Sequence, residues 1–152
     1  MGLDMYLFRH VSVGAFCECR NVRGTIDITV DDEKLDIDLS KVSVVVERVG
    51  YWLRANQIHQ WFVDHVQRGK DDYEAHGVDY EQLLELKELC EKILAEPNHR
   101  KRVALARKLL PVREGRLFDV SEYGECYFQD LAHTVKILSD LSPDGDYRYR
   151  AI

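Results

Sequence analysis

Trp52, Asn56 and His59 are spaced i, i+4 and i+7, which would set an aromatic wall, a carboxamide and an imidazole along one flank of a helix. Such a flank offers hydrogen bonds to a small polar ligand beside a stacking surface, and it is the chain's best pocket candidate. The same side chains could instead serve architecture, with Trp52 filling the core and the two polar groups bonded to the backbone of an adjacent loop. Asp71, Asp72 and His76 bring two carboxylates and an imidazole into one loop, the donors a divalent cation takes, although a solvated loop has the same composition. Tyr123 and Tyr127, one helical turn apart, suit either an aromatic edge of a binding site or the closure of a core.

Cys17-Glu18-Cys19 would place two thiols on one face of a strand, where Cys90, Cys126 or a histidine could complete a zinc site; structural sites usually use wider spacings, and the same cysteines suit small buried positions. His99-Arg100-Lys101-Arg102 opens a helix against its own dipole, which fits a solvated start or a contact with an anion or acidic partner. The chain carries no phosphate-binding glycine loop, nucleophile elbow, His-Glu-x-x-His helix or paired Cys-x-x-Cys. The expectation is therefore a binding protein with no cofactor and no metal, and the question of enzymatic activity stays open on the negative side.

These residues must be positioned by a chain of 152 residues, 45% hydrophobic and 32% charged, a composition that can bury a core rather than remain disordered. Its net charge is −6, from 27 acidic and 21 basic side chains, which disfavours direct nucleic-acid binding, while the basic residues dilute the acidity too far for a DNA mimic. The absence of an apolar run of about 18 to 20 residues and of a basic leader points away from the membrane and towards the cytoplasm with reduced thiols.

Met5 to Ala15 reads as a first strand, and Thr25 to Val30 with Lys34 to Leu39 alternate as a hairpin about Asp31-Asp32-Glu33, with Ile26, Ile28, Val30, Leu35, Ile37 and Leu39 on its apolar face. Tyr51 to Arg68 has the wide apolar arc of a central helix, after a β-branched stretch, Val42 to Val49, that either adds a strand or leads into it. Asp79 with Gln82 caps a second helix, Pro97-Asn98 starts a third that Pro111 ends, and Ser121 can cap a fourth. Tyr147-Arg148-Tyr149-Arg150 alternates like a sheet-edge strand or is a frayed tail. The expected fold is α+β, a small antiparallel sheet from the N-terminal half packed on about four helices in one domain, 1–152.

Several segments carry a resemblance: Met1-Gly2-Leu3-Asp4-Met5-Tyr6-Leu7, Val49 to Val63 with its Val49-Gly50-Tyr51-Trp52 and Ala55-Asn56-Gln57-Ile58-His59-Gln60-Trp61-Phe62-Val63, Val66 to Asp72, Leu109-Leu110-Pro111, and Tyr123 to Asp130. On these the chain resembles a family of small, uncharacterised proteins of tailed bacteriophages and prophages. It departs from that pattern at Leu53, where a basic residue is usual, and in a longer link over Asn98 to Arg107. The resemblance implies a phage accessory role and supplies no chemistry; together with the missing catalytic signature it makes the leading expectation a protein in the cytoplasm of a bacterial host that binds and modulates a host macromolecule, a protein or protein complex, with a defence component foremost. The alternatives are binding of a small ligand or nucleotide at the Trp52 flank and a hydrolase or transferase with an unrecognised site, and none of these readings sets an oligomeric state.

Overall fold

The computed structural model describes residues 3–12, 29–34, 36–37, 41–112 and 123–152. Strand β1 (Asp4–Ser12) alternates over its first half, turning Met5 and Leu7 inward without exposure and Tyr6 and Phe8 outward. The short strands β2 (Thr29–Val30) and β3 (Glu33–Lys34) pair across Asp31 and Asp32, both at positive φ, the geometry of a two-residue hairpin turn. Most of the expected hairpin lies outside the described residues; Ile37, expected on its buried face, is exposed.

Strand β4 (Val44–Leu53) takes the β-branched stretch and continues through Tyr51, Trp52 and Leu53. The central helix therefore begins later than its apolar arc suggests: α1 spans Asn56–His65. Arg54 at φ 58° makes the corner between them. An apolar arc read at 100° per residue takes in any buried strand that runs into the helix, because burial alone supplies the apolar residues. Beyond α1, the Gly69 N–H donates to the Val63 carbonyl, and Gly69 at φ 78° occupies the left-handed conformation that ends helices.

Strand β5 (His76–Val78) leads to α2 (Tyr80–Ala95), where Gln82 Oε1 accepts the Asp79 N–H as the capping pattern anticipates. Asn98 caps α3 (His99–Leu109) through the Lys101 N–H. Helix α4 (Glu125–Ser139) starts after Gly124; Ser121, expected as its cap, lies outside the described residues. The chain ends in β6 (Asp146–Ala151).

The four long-range strands form one antiparallel sheet in the order β4-β1-β6-β5, so the terminal segment is an interior strand, neither an edge nor a frayed tail. One sheet face meets the helices around a core of Met5, Leu7, Trp52, Phe62, Leu131 and Tyr149. At Gly50 a Cβ would lie 2.9 Å from Ile137 and 3.1 Å from Leu7, so only glycine lets α4 approach β4 so closely. Across from it the register slips between Leu7 and Phe8, a bulge that takes up Val49 and keeps Tyr51 and Arg48 on the outer face.

Candidate functional site

The turn at Arg54 separates the three residues of the expected pocket flank. Trp52 sits on β4, not on the helix, and is buried in the core with its Nε1–H donated to Thr134 Oγ1 at 2.9 Å. Thr134 in turn donates to the Asp130 carbonyl. Asn56 opens α1 and His59 follows one turn later, so these two share a helix that the tryptophan lies outside.

His59, 1% exposed, joins two elements far apart in sequence: Nδ1 lies 2.8 Å from Tyr149 Oη and Nε2 lies 3.1 Å from Asp71 Oδ1. Burial pushes the Tyr149 pKa well up, so its phenol keeps its proton at neutral pH. With Asp71 as a carboxylate, the Nε2–H tautomer satisfies both contacts: it donates to Asp71 and accepts the phenol proton at Nδ1. Asp71 thus serves to orient the imidazole.

Asp72 turns elsewhere. Its Oδ1 accepts the Glu74 N–H and lies 2.7 Å from His76 Nε2, a hydrogen bond that lowers its pKa. The two carboxylates that a loop cation would need together therefore serve different histidines, and among the described residues no group of three or more His, Cys, Asp or Glu could hold a metal. Cys17 and Cys19 lie outside the described residues.

Tyr123 and Tyr127 do meet, with ring centroids 5.0 Å apart. Their hydroxyls are engaged in holding the end of α3: Tyr127 donates to the Leu110 carbonyl and Tyr123 accepts the Val112 N–H. At the basic start of α3, Arg102 donates to the Glu96 carbonyl and covers the Phe128 ring. Among the described residues, three buried side chains have polar atoms without a hydrogen-bond partner: Asn56 Oδ1, Trp61 Nε1 and both amide atoms of Gln67.

A different constellation lies on the sheet face turned away from the helices. Tyr51 of β4, Tyr6 of β1 and Arg150 of β6 form one cross-strand row, and Arg48, Phe8 and Arg148 form the next. Tyr6 lies 5.8 Å from Phe8 and 5.4 Å from Tyr51, centroid to centroid, and the Arg48 guanidinium stands 6.0 Å over the Tyr51 ring. Tyr51 donates to Asp4 Oδ1 at 2.5 Å, a bond that raises the phenol's pKa. Along β4 the same face exposes Leu53 (55%) and Val46 (52%).

Comparison with family models, with curated proteins and with solved structures finds no match. The outer sheet face, with three aromatic and three arginine side chains in adjoining rows, is the candidate site on geometry alone. None of its residues was among the expected site residues; Tyr51 was read as part of the central helix, and Arg148 and Arg150 as part of an edge strand or tail. The available signal was the alternation Tyr6-Leu7-Phe8 and Arg148-Tyr149-Arg150, which marks an outward face without saying which strands lie side by side.

Proposed function

We propose that this chain is a phage accessory protein that binds and modulates a host protein, a defence component foremost, with the outer sheet face as its contact surface. The resemblance of its segments to phage and prophage proteins supports the setting, and the paired rows Tyr51-Tyr6-Arg150 and Arg48-Phe8-Arg148 carry the surface. Tyrosine and arginine are the residue types that dominate binding energy at protein interfaces, and here the exposed Val46 and Leu53 extend them with apolar area. Among the described residues no helix is long and apolar enough to cross a membrane.

The test is quantitative capture from bacterial host lysate with the wild-type chain and with Val46→Glu/Leu53→Glu. A partner that saturates the wild type and is lost with the face variant supports the assignment; equal retention by both moves the contact elsewhere. Absence of any saturable partner overturns the function.

The buried, unpartnered Gln67 amide and Asn56 Oδ1 favour a second reading, a small polar ligand or nucleotide bound against α1, since such groups normally find a partner. A ligand of that kind raises Tm as its concentration passes Kd. A nucleotide panel that leaves Tm unchanged removes this alternative.

A further inference from the structure

On the reading that the outer sheet face is a contact surface, we propose that its partner presents an extended acidic segment, with carboxylates for Arg48, Arg148 and Arg150 and apolar side chains for the strip along β4.

The arginines carry this inference. The chain has an excess of carboxylates, yet Arg48 is steadied by the Tyr51 ring and Arg150 by a 2.8 Å bond from Nε to the Tyr73 carbonyl. Both supports are neutral, and among the described residues no carboxylate pairs with either guanidinium. Among the described residues Arg148 has only a long 3.7 Å contact with the exposed Asp146, a pair that solvent screens. Guanidinium groups held in place by neutral partners keep their charge and their bidentate donors for an incoming anion. Of the acids on this face, Asp4 already accepts the Tyr51 hydroxyl and is thereby occupied.

The apolar strip selects a protein over a nucleic acid. Val44, Val46 and Leu53 are all exposed on the same side of β4 as Tyr51 and Arg48, and a phosphate backbone has nothing to set against them. Three arginines within a chain of net charge −6 also make a weak site for a polyanion. A protein strand alternates its side chains at about 7 Å, the repeat of the outward residues on β4. Alternating carboxylate and apolar groups then match Arg48 between Val46 and Tyr51, and Arg48 and Arg148, both opposite Phe8, lie about 10 Å apart across β1.

The experiment is fluorescence anisotropy with the intact chain and three labelled probes: a peptide as long as β4 in which glutamate and leucine take turns at every second residue with serine between, so that both types face the sheet, its lysine–leucine counterpart, and oligothymidine. Saturable binding of the glutamate–leucine peptide is expected, weakened about tenfold or more in Arg48→Glu/Arg150→Glu, with that variant now preferring the lysine–leucine peptide. Both positions are exposed, and an unchanged circular-dichroism melt establishes that the variant is folded. Oligothymidine binding more tightly than the acidic peptide overturns the proposal in favour of nucleic acid. Equal binding of both peptides, or none, overturns it too, and a lysate partner still lost in Val46→Glu/Leu53→Glu would leave the contact surface standing. A dimer in sedimentation that dissociates in Leu53→Glu overturns it by making a second copy the occupant.

Discussion

Phe62 of α1 and Tyr149 of β6 stack in parallel, ring centroids 3.8 Å apart with 6° between their planes. A residue at the middle of the chain and one three from its end thus share the contact that seats the central helix on the sheet. Trp52 adds its ring 6.0 Å from the same phenylalanine. Phe62 has no exposure, so Phe62→Ala empties core volume that its neighbours cannot fill, and a cost of about 3 to 5 kcal/mol is expected in denaturant melts. A loss below about 1 kcal/mol, the scale of a surface change, would contradict this packing.

The hydrogen bond between His59 and Tyr149 gives a second expectation. His59→Ala strands the buried Tyr149 hydroxyl and should cost about 1 to 3 kcal/mol, while Tyr149→Phe removes the hydroxyl and keeps the stacked ring. The double variant should cost less than the sum of the two, since the second change removes the group the first left unpaired. Additive costs would mean the bond contributes nothing. Partner capture by the folded His59→Ala chain should match the wild type, because the imidazole faces the core and not the outer sheet face.

Cysteine chemistry separates two described thiols. Burial pushes the Cys90 thiol up to about 12, so it stays protonated and shielded between α2 and α4, whereas Cys126 at the start of α4 is exposed. Iodoacetamide followed by peptide mass spectrometry should label Cys126 in the native protein and Cys90 only in denaturant. Comparable native labelling of both would show that the α2–α4 contact opens readily.

Asp130 supplies a pH dependence of defined sign. Burial raises its pKa against the lowering effect of the hydrogen bond from Gln57 Nε2. The native carboxyl then holds its proton more tightly than the unfolded one, so this group's contribution falls as pH rises from the unfolded value through the raised folded value. Asp72 has the opposite sign: its pKa is lowered by His76, and its contribution is present above the unfolded value and lost as pH falls through the folded one. Asp130→Asn keeps an acceptor for Gln57, and its stability relative to wild type should improve from acid to neutral pH. A difference that is flat across that range rejects the assignment.

Much of the fold was legible in local pattern. The mostly apolar, β-branched run read over Met5 to Ala15 gave β1, observed over Asp4–Ser12, the Asp79 and Gln82 pair gave the start of α2, Asn98 gave the start of α3, and the described residues form the antiparallel sheet with four helices that the α+β expectation describes. Local pattern stopped at Tyr51 to Ala55, where a strand, a left-handed corner at Arg54 and a helix are all apolar enough to read as one arc.

The candidate site was less legible, for a physical reason. Alternation marked the two faces of β6, because it is a property of one strand, whereas on β4 the bulge at Val49 shifts it and the sequence left Val42 to Val49 open between a strand and a lead-in to the helix. Only the tertiary structure decided that β6 inserts between β1 and β5, which sets Arg148 and Arg150 beside Phe8 and Tyr6 although about 140 residues separate them. It likewise decided that His59 meets Tyr149 and Asp71 and that Trp52 meets Thr134. Strand order is fixed by the burial of Tyr147, Tyr149 and Ala151 against the helices, a cooperative property of the whole core that no window of sequence contains.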